Sequence, residues 1–166
     1  KVSKSSVSDY MQWFEDAYIF FTVRIFDASL ARSNTNPKKI YCIDHSLVRS
    51  VSSGILVNSG HLLENLVFIT LRRCGKNVYY YKCGSGKEVD FIITDKSGKK
   101  MLVQVCESMA DPKTKKREIS ALAEAMAELK LNSGIIVTLD KEETIQVETG
   151  EINLIPAWRF VYEFQG

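Results

Sequence analysis

A mixed α/β sheet flanked by helices is the fold class this sequence predicts, and three observations predict it. From His61 onward the apolar spacing is helical, then gives way to runs of β-formers, then turns helical again before a last apolar run. Between two of those β-runs Cys83, Gly84, Ser85 and Gly86 favour a tight hairpin. The second helical stretch lies between two strands, where a crossover joins strands that run parallel.

The chain opens with Ser8 and Asp9 as caps of a helix through Tyr10, Trp13, Phe14, Ala17, Tyr18 and Phe21, a thick aromatic stripe that needs a partner. The polar run from Ala31 to Lys39, with Asn34, Asn36 and Pro37, reads as a turn. Ile40 to Ile43 offers a short strand, and Ser46 to Ser52 a turn or two of helix. A helix, strand, helix series of this size predicts a small winged-helix-like subdomain. Its boundary is expected between Gly54 and Gly60, giving 1–55 and 56–166 as the two parts.

In the second part Leu62, Leu63, Leu66, Val67, Ile69 and Leu71 define a helix that Arg72 and Arg73 suit at its C-terminus and Gly75 stops. Strands are predicted at Asn77 to Lys82, Glu88 to Thr94 and Met101 to Glu107. Asp111 and Pro112 then start a helix carrying Ile119, Leu122, Ala123, Met126 and Leu129 on one side. Gly134 to Leu139 is a buried strand. Shorter strands are expected at Thr144 to Glu148, Ile152 to Ile155 and Trp158 to Phe164.

Composition narrows the class. Of 166 residues 45% are hydrophobic and 25% charged, enough apolar material for a folded core rather than a disordered chain. A net charge of +2 does not by itself announce a nucleic-acid binder, so local clusters decide. These are Arg72, Arg73 and Lys76; Lys96, Lys99 and Lys100; and Lys113, Lys115, Lys116 and Arg117. They could contact phosphates without reading bases. Cys42, Cys74, Cys83 and Cys106 lack the close pairing of zinc sites and read as four buried reduced thiols. His45 and His61 have no partner pattern and are assigned no role. With no apolar run of about 18 residues and no signal segment, the expectation is a cytoplasmic protein without a membrane partner. The chain starts at Lys1 rather than methionine, and is expected to be part of a longer protein.

Two acids stand out against their surroundings. Glu64 shares a helical stripe with Phe68 and Leu71, so it points inward. Asp90 lies inside the β-run Val89 to Ile93, where aspartate is disfavoured. On the next strand Gln104 and Cys106 share a face and can converge on Asp90 if the strands pair. Glu64, Asp90 and Gln104, with a backbone carbonyl, are hard oxygen ligands of the kind Mg²⁺ accepts, and magnesium could activate water against a phosphodiester.

The order helix, three strands, helix, strand resembles the PD-(D/E)XK restriction-endonuclease-like fold. More closely, Glu64-Asn65, the run Gly86-Lys87-Glu88-Val89-Asp90-Phe91 and Leu102-Val103-Gln104-Val105-Cys106 are similar to the C-terminal domain attached to archaeal and bacterial AAA-type P-loop ATPases. Pro37-Lys38-Lys39-Ile40-Tyr41 with Asp44, and Thr114-Lys115-Lys116-Arg117-Glu118, extend the likeness over nearly the whole chain. The resemblance implies that Glu64 and Asp90 are the fold's acids and that Gln104, Val105 and Cys106 stand at its (D/E)XK strand. Glutamine there has no charge to help hold a metal, and cysteine cannot replace the lysine that orients water or steadies a phosphorane. Replacement lysines would have to come from elsewhere, with Lys82, Lys115 and Lys116 as candidates.

The expected function is therefore an accessory domain of an AAA-type ATPase, with a degenerate nuclease-like site, binding nucleic acid or a protein partner. An active Mg²⁺-dependent DNA nuclease and a structural or oligomerisation module are the alternatives. No G-x-x-x-x-G-K-[ST] sequence occurs, so ATP would bind only in the N-terminal ATPase part of the longer protein.

Overall fold

A computed structural model of the chain describes residues 3–51, 59–95 and 97–164. Helix α1 spans Lys4–Asp16, and its cap is Ser3, whose hydroxyl accepts from Ser6 N at 3.1 Å, rather than Ser8 or Asp9. The expected continuation to Phe21 does not occur. Tyr18 adopts a left-handed φ of 57°, while its N–H and that of Ile19 close back onto Glu15 O and Phe14 O. The β-formers that follow make strand β1, Phe20–Val23, antiparallel to β2, Lys39–Cys42. Between them the run read as a turn holds a short helix α2, Leu30–Thr35, capped by Ser29. Ser33 anchors it by donating to Ile25 O at 3.0 Å.

Helix α3, His45–Val51, agrees with the sequence reading as far as it is described. Its expected last residue Ser52 and the expected 55/56 boundary fall outside the described residues, as does Lys96. Helix α4 then runs Ser59–Arg73.

The main sheet contains β3 (Asn77–Lys82), β4 (Glu88–Thr94), β5 (Lys100–Val105), β6 (Ser133–Thr138), β7 (Glu143–Val147) and β8 (Gly150–Pro156), in spatial order β3-β4-β5-β6-β8-β7. The β3/β4, β4/β5 and β7/β8 pairs are antiparallel, whereas β5/β6 and β6/β8 are parallel. Helix α5, Pro112–Leu129, is the crossover joining β5 to β6, and Asp111 caps it by accepting from Thr114 N at 2.8 Å.

Trp158 to Phe164, expected as a strand, folds instead as helix α6, Ala157–Glu163. Its aromatic content favours a strand, but the apolar spacing suits a helix. Ala157 and Phe160 are buried and Phe164 stacks on Phe160, while Trp158 and Tyr162 face outward.

The sheet is covered on both faces. Phe68 and Leu71 of α4 and Phe160 of α6 pack on Phe91, Val103 and Val137, while Leu122 and Met126 of α5 pack on Ile92, Leu102, Ile136 and Leu154. Phe21, Val23, Ile25 and Tyr41 from the first part belong to the α4-side core, where Tyr41 stacks on Phe68 with ring centroids 4.4 Å apart. Burying one such aromatic ring contributes about 1.5–3 kcal/mol, so β2 is fastened to α4 by apolar contact before any charge is counted. Most of the remaining stripe, Tyr10, Trp13, Phe14 and Tyr18, is exposed.

Candidate functional site

A bulge in β4 positions the central acid. Tyr79 pairs with Ile92 but Tyr81 with Val89, so one residue of β3, Tyr80, faces both Asp90 and Phe91. The extra residue lets Val89 join Ile92 on the α5 side, although Phe91 and Ile93 lie on the α4 side. Backbone pairing with β5 stops at Phe91 and Val103. Beyond it side chains continue the ladder: Gln104 Oε1 accepts from Asp90 N, and Asp90 Oδ2 accepts from Val105 N, both at 3.0 Å.

Helix α4 supplies Glu64, and its neighbour Asn65 clamps β2. The Asn65 amide accepts from Cys42 N at 2.8 Å and donates to Cys42 O at 2.9 Å. Residues two apart on a strand share a face, so Tyr41 and Lys39 both reach the acids while Ile40 points away and stays exposed. Tyr41 Oη donates to Glu64 Oε1 at 2.7 Å. The Lys39 ammonium lies 3.1 Å from Glu64 Oε1, 2.9 Å from Asp90 Oδ1 and 2.9 Å from Glu88 Oε1. One lysine thus gathers three carboxylates, two of them with side chains only 18% and 14% exposed, Glu64 and Asp90.

A further acid, more deeply buried, stands behind this cluster. Glu118 of α5 accepts from Gln104 Nε2 at 2.7 Å and from the Arg117 guanidinium at 2.6 Å. Gln104 therefore ties the Asp90 backbone to a carboxylate on the crossover helix. Glu64, Glu88, Asp90, Gln104, Lys87 and Arg117 all line one groove of about 430 Å³. His61, largely exposed, sits on its rim with Nδ1 3.8 Å from Glu64 Oε2.

The other candidates lie apart from the groove. Of the cysteines expected to be buried, Cys83 and Cys106 are, whereas Cys42 and Cys74 are only half-buried. The Cys106 thiol donates to Ser108 O at 3.2 Å; burial, and then Glu118, push that thiol's pKa up. Lys82 is exposed at the end of β3. Lys115 is paired with Glu143 at 2.9 Å, and Lys116 is exposed on the outer side of α5. The lysine that does reach the acids, Lys39, received no role from the sequence, nor did Tyr41, Glu88 or Glu118. One signal was available: Lys39-Ile40-Tyr41 alternates so that the charged and phenolic groups share the inward face of a strand.

Burial pushes the Asp90 carboxyl up to about 6, with Glu64 adding to the rise and Lys39 opposing it. Burial also disfavours charge on Lys39, but Asp90 and Glu64 outweigh it and hold the ammonium above its ordinary range. Burial first, and then Glu64, raise the Tyr41 hydroxyl, which stays a donor. The Asp90 shift has a defined consequence for stability. Between its ordinary value of 3.8 and about 6, the folded state binds more protons than the unfolded one, so this group makes stability fall as pH rises through that window. The expected contribution is about 2–3 kcal/mol. It is read as the difference between urea-unfolding profiles of the wild type and Asp90→Asn across those pH values; a flat difference contradicts it.

The oxygens expected to hold Mg²⁺ are already engaged. Glu64 Oε1 takes Tyr41 and Lys39, Asp90 Oδ1 takes Lys39, Asp90 Oδ2 takes Val105 N, and Gln104 Oε1 takes Asp90 N. Magnesium requires near-octahedral oxygen ligation at about 2.0–2.1 Å, and an ammonium occupies the space between these carboxylates. Among the described residues no group of three or more His, Cys, Asp or Glu is arranged to hold a metal. This arrangement does not fit the ion.

Fold and site together define a mixed α/β domain, built around a strand-parting aspartate and a lysine-bridged carboxylate cluster. The chain belongs to the family described as "Domain of unknown function (DUF4143)", which matches residues 59–160. It is 35% identical over 96% of its length to the uncharacterized protein MJ1544 of Methanocaldococcus jannaschii, and spans 37% of that relative. It is 32% identical over 54% of its length to an uncharacterized protein of Haemophilus influenzae, covering 22% of it. No solved structure matches the chain. The family match begins with α4 and includes Glu64, Asp90, Gln104 and Glu118, whereas Lys39 and Tyr41 come from the segment before it.

Proposed function

We propose that this chain is a non-cleaving accessory domain of a longer AAA-type ATPase, with a nuclease-like core that binds the phosphate backbone of nucleic acid. The observation that carries the reading is Lys39, whose ammonium takes the position between Glu64, Glu88 and Asp90 that a catalytic cation would need. Gln104 in place of an acid supports it, since its amide spans Asp90 N and Glu118 and supplies no charge for a metal. ATP binding would reside elsewhere in the longer protein; the 37% coverage of the archaeal relative leaves room for such a part. The four cysteines are free thiols, which suits a cytoplasmic setting, and no helix among the described residues is long and apolar enough to cross a membrane.

The competing reading is a Mg²⁺-dependent nuclease in which Lys39 serves as the migrated lysine. The observation favouring it is the same 2.9 Å approach to Asp90. Full-length protein incubated with branched, single-stranded and duplex DNA in Mg²⁺ or Mn²⁺ separates the two. The expected result is DNA retained without cleavage products. Metal-dependent cutting that disappears in Asp90→Ala and Glu64→Ala would overturn the proposal.

A further inference from the structure

Away from the carboxylate cluster, a concavity of about 280 Å³ lies where α4 ends, and Thr22, Arg24, Arg72, Lys76 and Asn77 line it. No carboxylate is among its described lining residues. Three segments converge there: the residue following β1 brings Arg24, the last turn of α4 brings Arg72, and the turn into β3 brings Lys76.

Six cations among the described residues, Lys39, Lys87, Lys115, Lys141, Arg117 and Arg159, lie within ion-pair distance of glutamates or aspartates. Arg24, Arg72 and Lys76 have none among the described residues. Of the nearby acids, Glu15 accepts from Thr22 N and Oγ1 at 2.9 and 2.7 Å, and Asp95 accepts from Ser97 N and Lys99 N at 2.8 and 3.0 Å; Lys76 acts on the Asp95 carboxylate only from beyond ion-pair distance.

Two of the three cations are also held in place. The Arg72 guanidinium lies over the Phe21 ring, 3.8 Å from its centroid, a contact that fixes the plane and leaves the N–H edge free. Arg24 donates from Nη1 to Asn34 Oδ1 at 2.9 Å, and its carbonyl accepts from Tyr80 N at 3.0 Å. Such fixed forks recognise phosphate oxygens, and three positive charges exceed the half-charge of opposite sign at a helix C-terminus.

We propose that Arg24, Arg72 and Lys76 form a phosphate-binding pocket that seats one backbone phosphate of a nucleic acid. The inference deepens the nucleic-acid reading and rests on it for the source of the phosphate. Glu64, Phe68 and Arg72 follow one another at four-residue steps on α4, so the pocket lies about 12 Å along that helix from the lysine–carboxylate cluster.

The test uses full-length protein, labelled single-stranded DNA and inorganic phosphate, with the double variant Arg24→Gln/Lys76→Gln. Arg72 is left intact because its stacking on Phe21 belongs to the core. For the wild type, DNA affinity should fall with salt, and the double variant should flatten the slope of log K against log salt by about 0.7 per lost phosphate contact. The double variant should also abolish stabilisation of the fold by millimolar phosphate. DNA binding with an unchanged slope, and phosphate stabilisation equal in both proteins, would overturn the pocket and leave the nucleic-acid reading standing. Phosphate stabilisation lost in the variant, with no DNA binding by the wild type, would keep the pocket and overturn nucleic acid as its source. Neither binding in the wild type would overturn both.

Discussion

Lys39→Met is expected to lower folding stability by about 3–5 kcal/mol, the usual loss when one partner of a buried ion pair is removed. Methionine matches the apolar stem of lysine out to the ε carbon and lacks only the terminal nitrogen, so the change isolates the ammonium. Without it, Glu64 and Asp90 remain mostly out of solvent and close to each other, although Glu88, with a side chain 43% exposed, can turn toward water. The deficit should shrink at pH 5, because the raised Asp90 carboxyl takes up a proton there instead of remaining charged and unpaired. It should shrink again in Lys39→Met/Glu64→Gln, which removes one of the stranded charges. Urea unfolding of the three proteins at neutral and acidic pH measures both effects. A loss below about 1 kcal/mol, the range of an exposed pair, would mean that the cluster is a surface contact.

Gly150→Ala should also be severe, for a backbone reason. Gly150 opens β8 with φ of 139°, and a Cβ there would stand 1.9 Å from Asn132 O. That same oxygen accepts from Glu151 N at 3.0 Å, so it cannot retreat without breaking the start of the β6/β8 pairing. Backbone strain and overpacking each cost about 1–3 kcal/mol, and both apply here. Gly86→Ala is the comparison: φ is 91° but no atom lies within 4 Å of the added carbon, so only the left-handed penalty of about 1–2 kcal/mol remains. Equal melting temperatures for the two variants would contradict this account.

The stretch from α4 to β6 was legible because its signals agree locally. Gly75 stops one helix, Asp111 and Pro112 start another, and the apolar period changes between them. Where the sequence misled, a local signal was missing or pointed the other way. Tyr18 occupies a left-handed position usually marked by glycine, so the end of α1 and the start of β1 were hidden. Trp158, Phe160, Val161 and Tyr162 have strand propensity, yet burial of Ala157 and Phe160 against the sheet makes them helical. Glu64 and Asp90 could be found as acids set in apolar patterns. For Lys39 the alternation of Lys39-Ile40-Tyr41 gives an inward face but no partner, because Glu64 and Asp90 are 25 and 51 residues away and the bulge that aims Asp90 depends on the register with β3.

Crystals of the protein soaked in Mn²⁺ and measured at the manganese edge show whether an ammonium or a metal ion holds Glu64 and Asp90 together. The Lys39 ammonium should still bridge Glu64 and Asp90, with no anomalous density bonded to either carboxylate. Manganese bound to both acids, with Lys39 displaced from them, would contradict it.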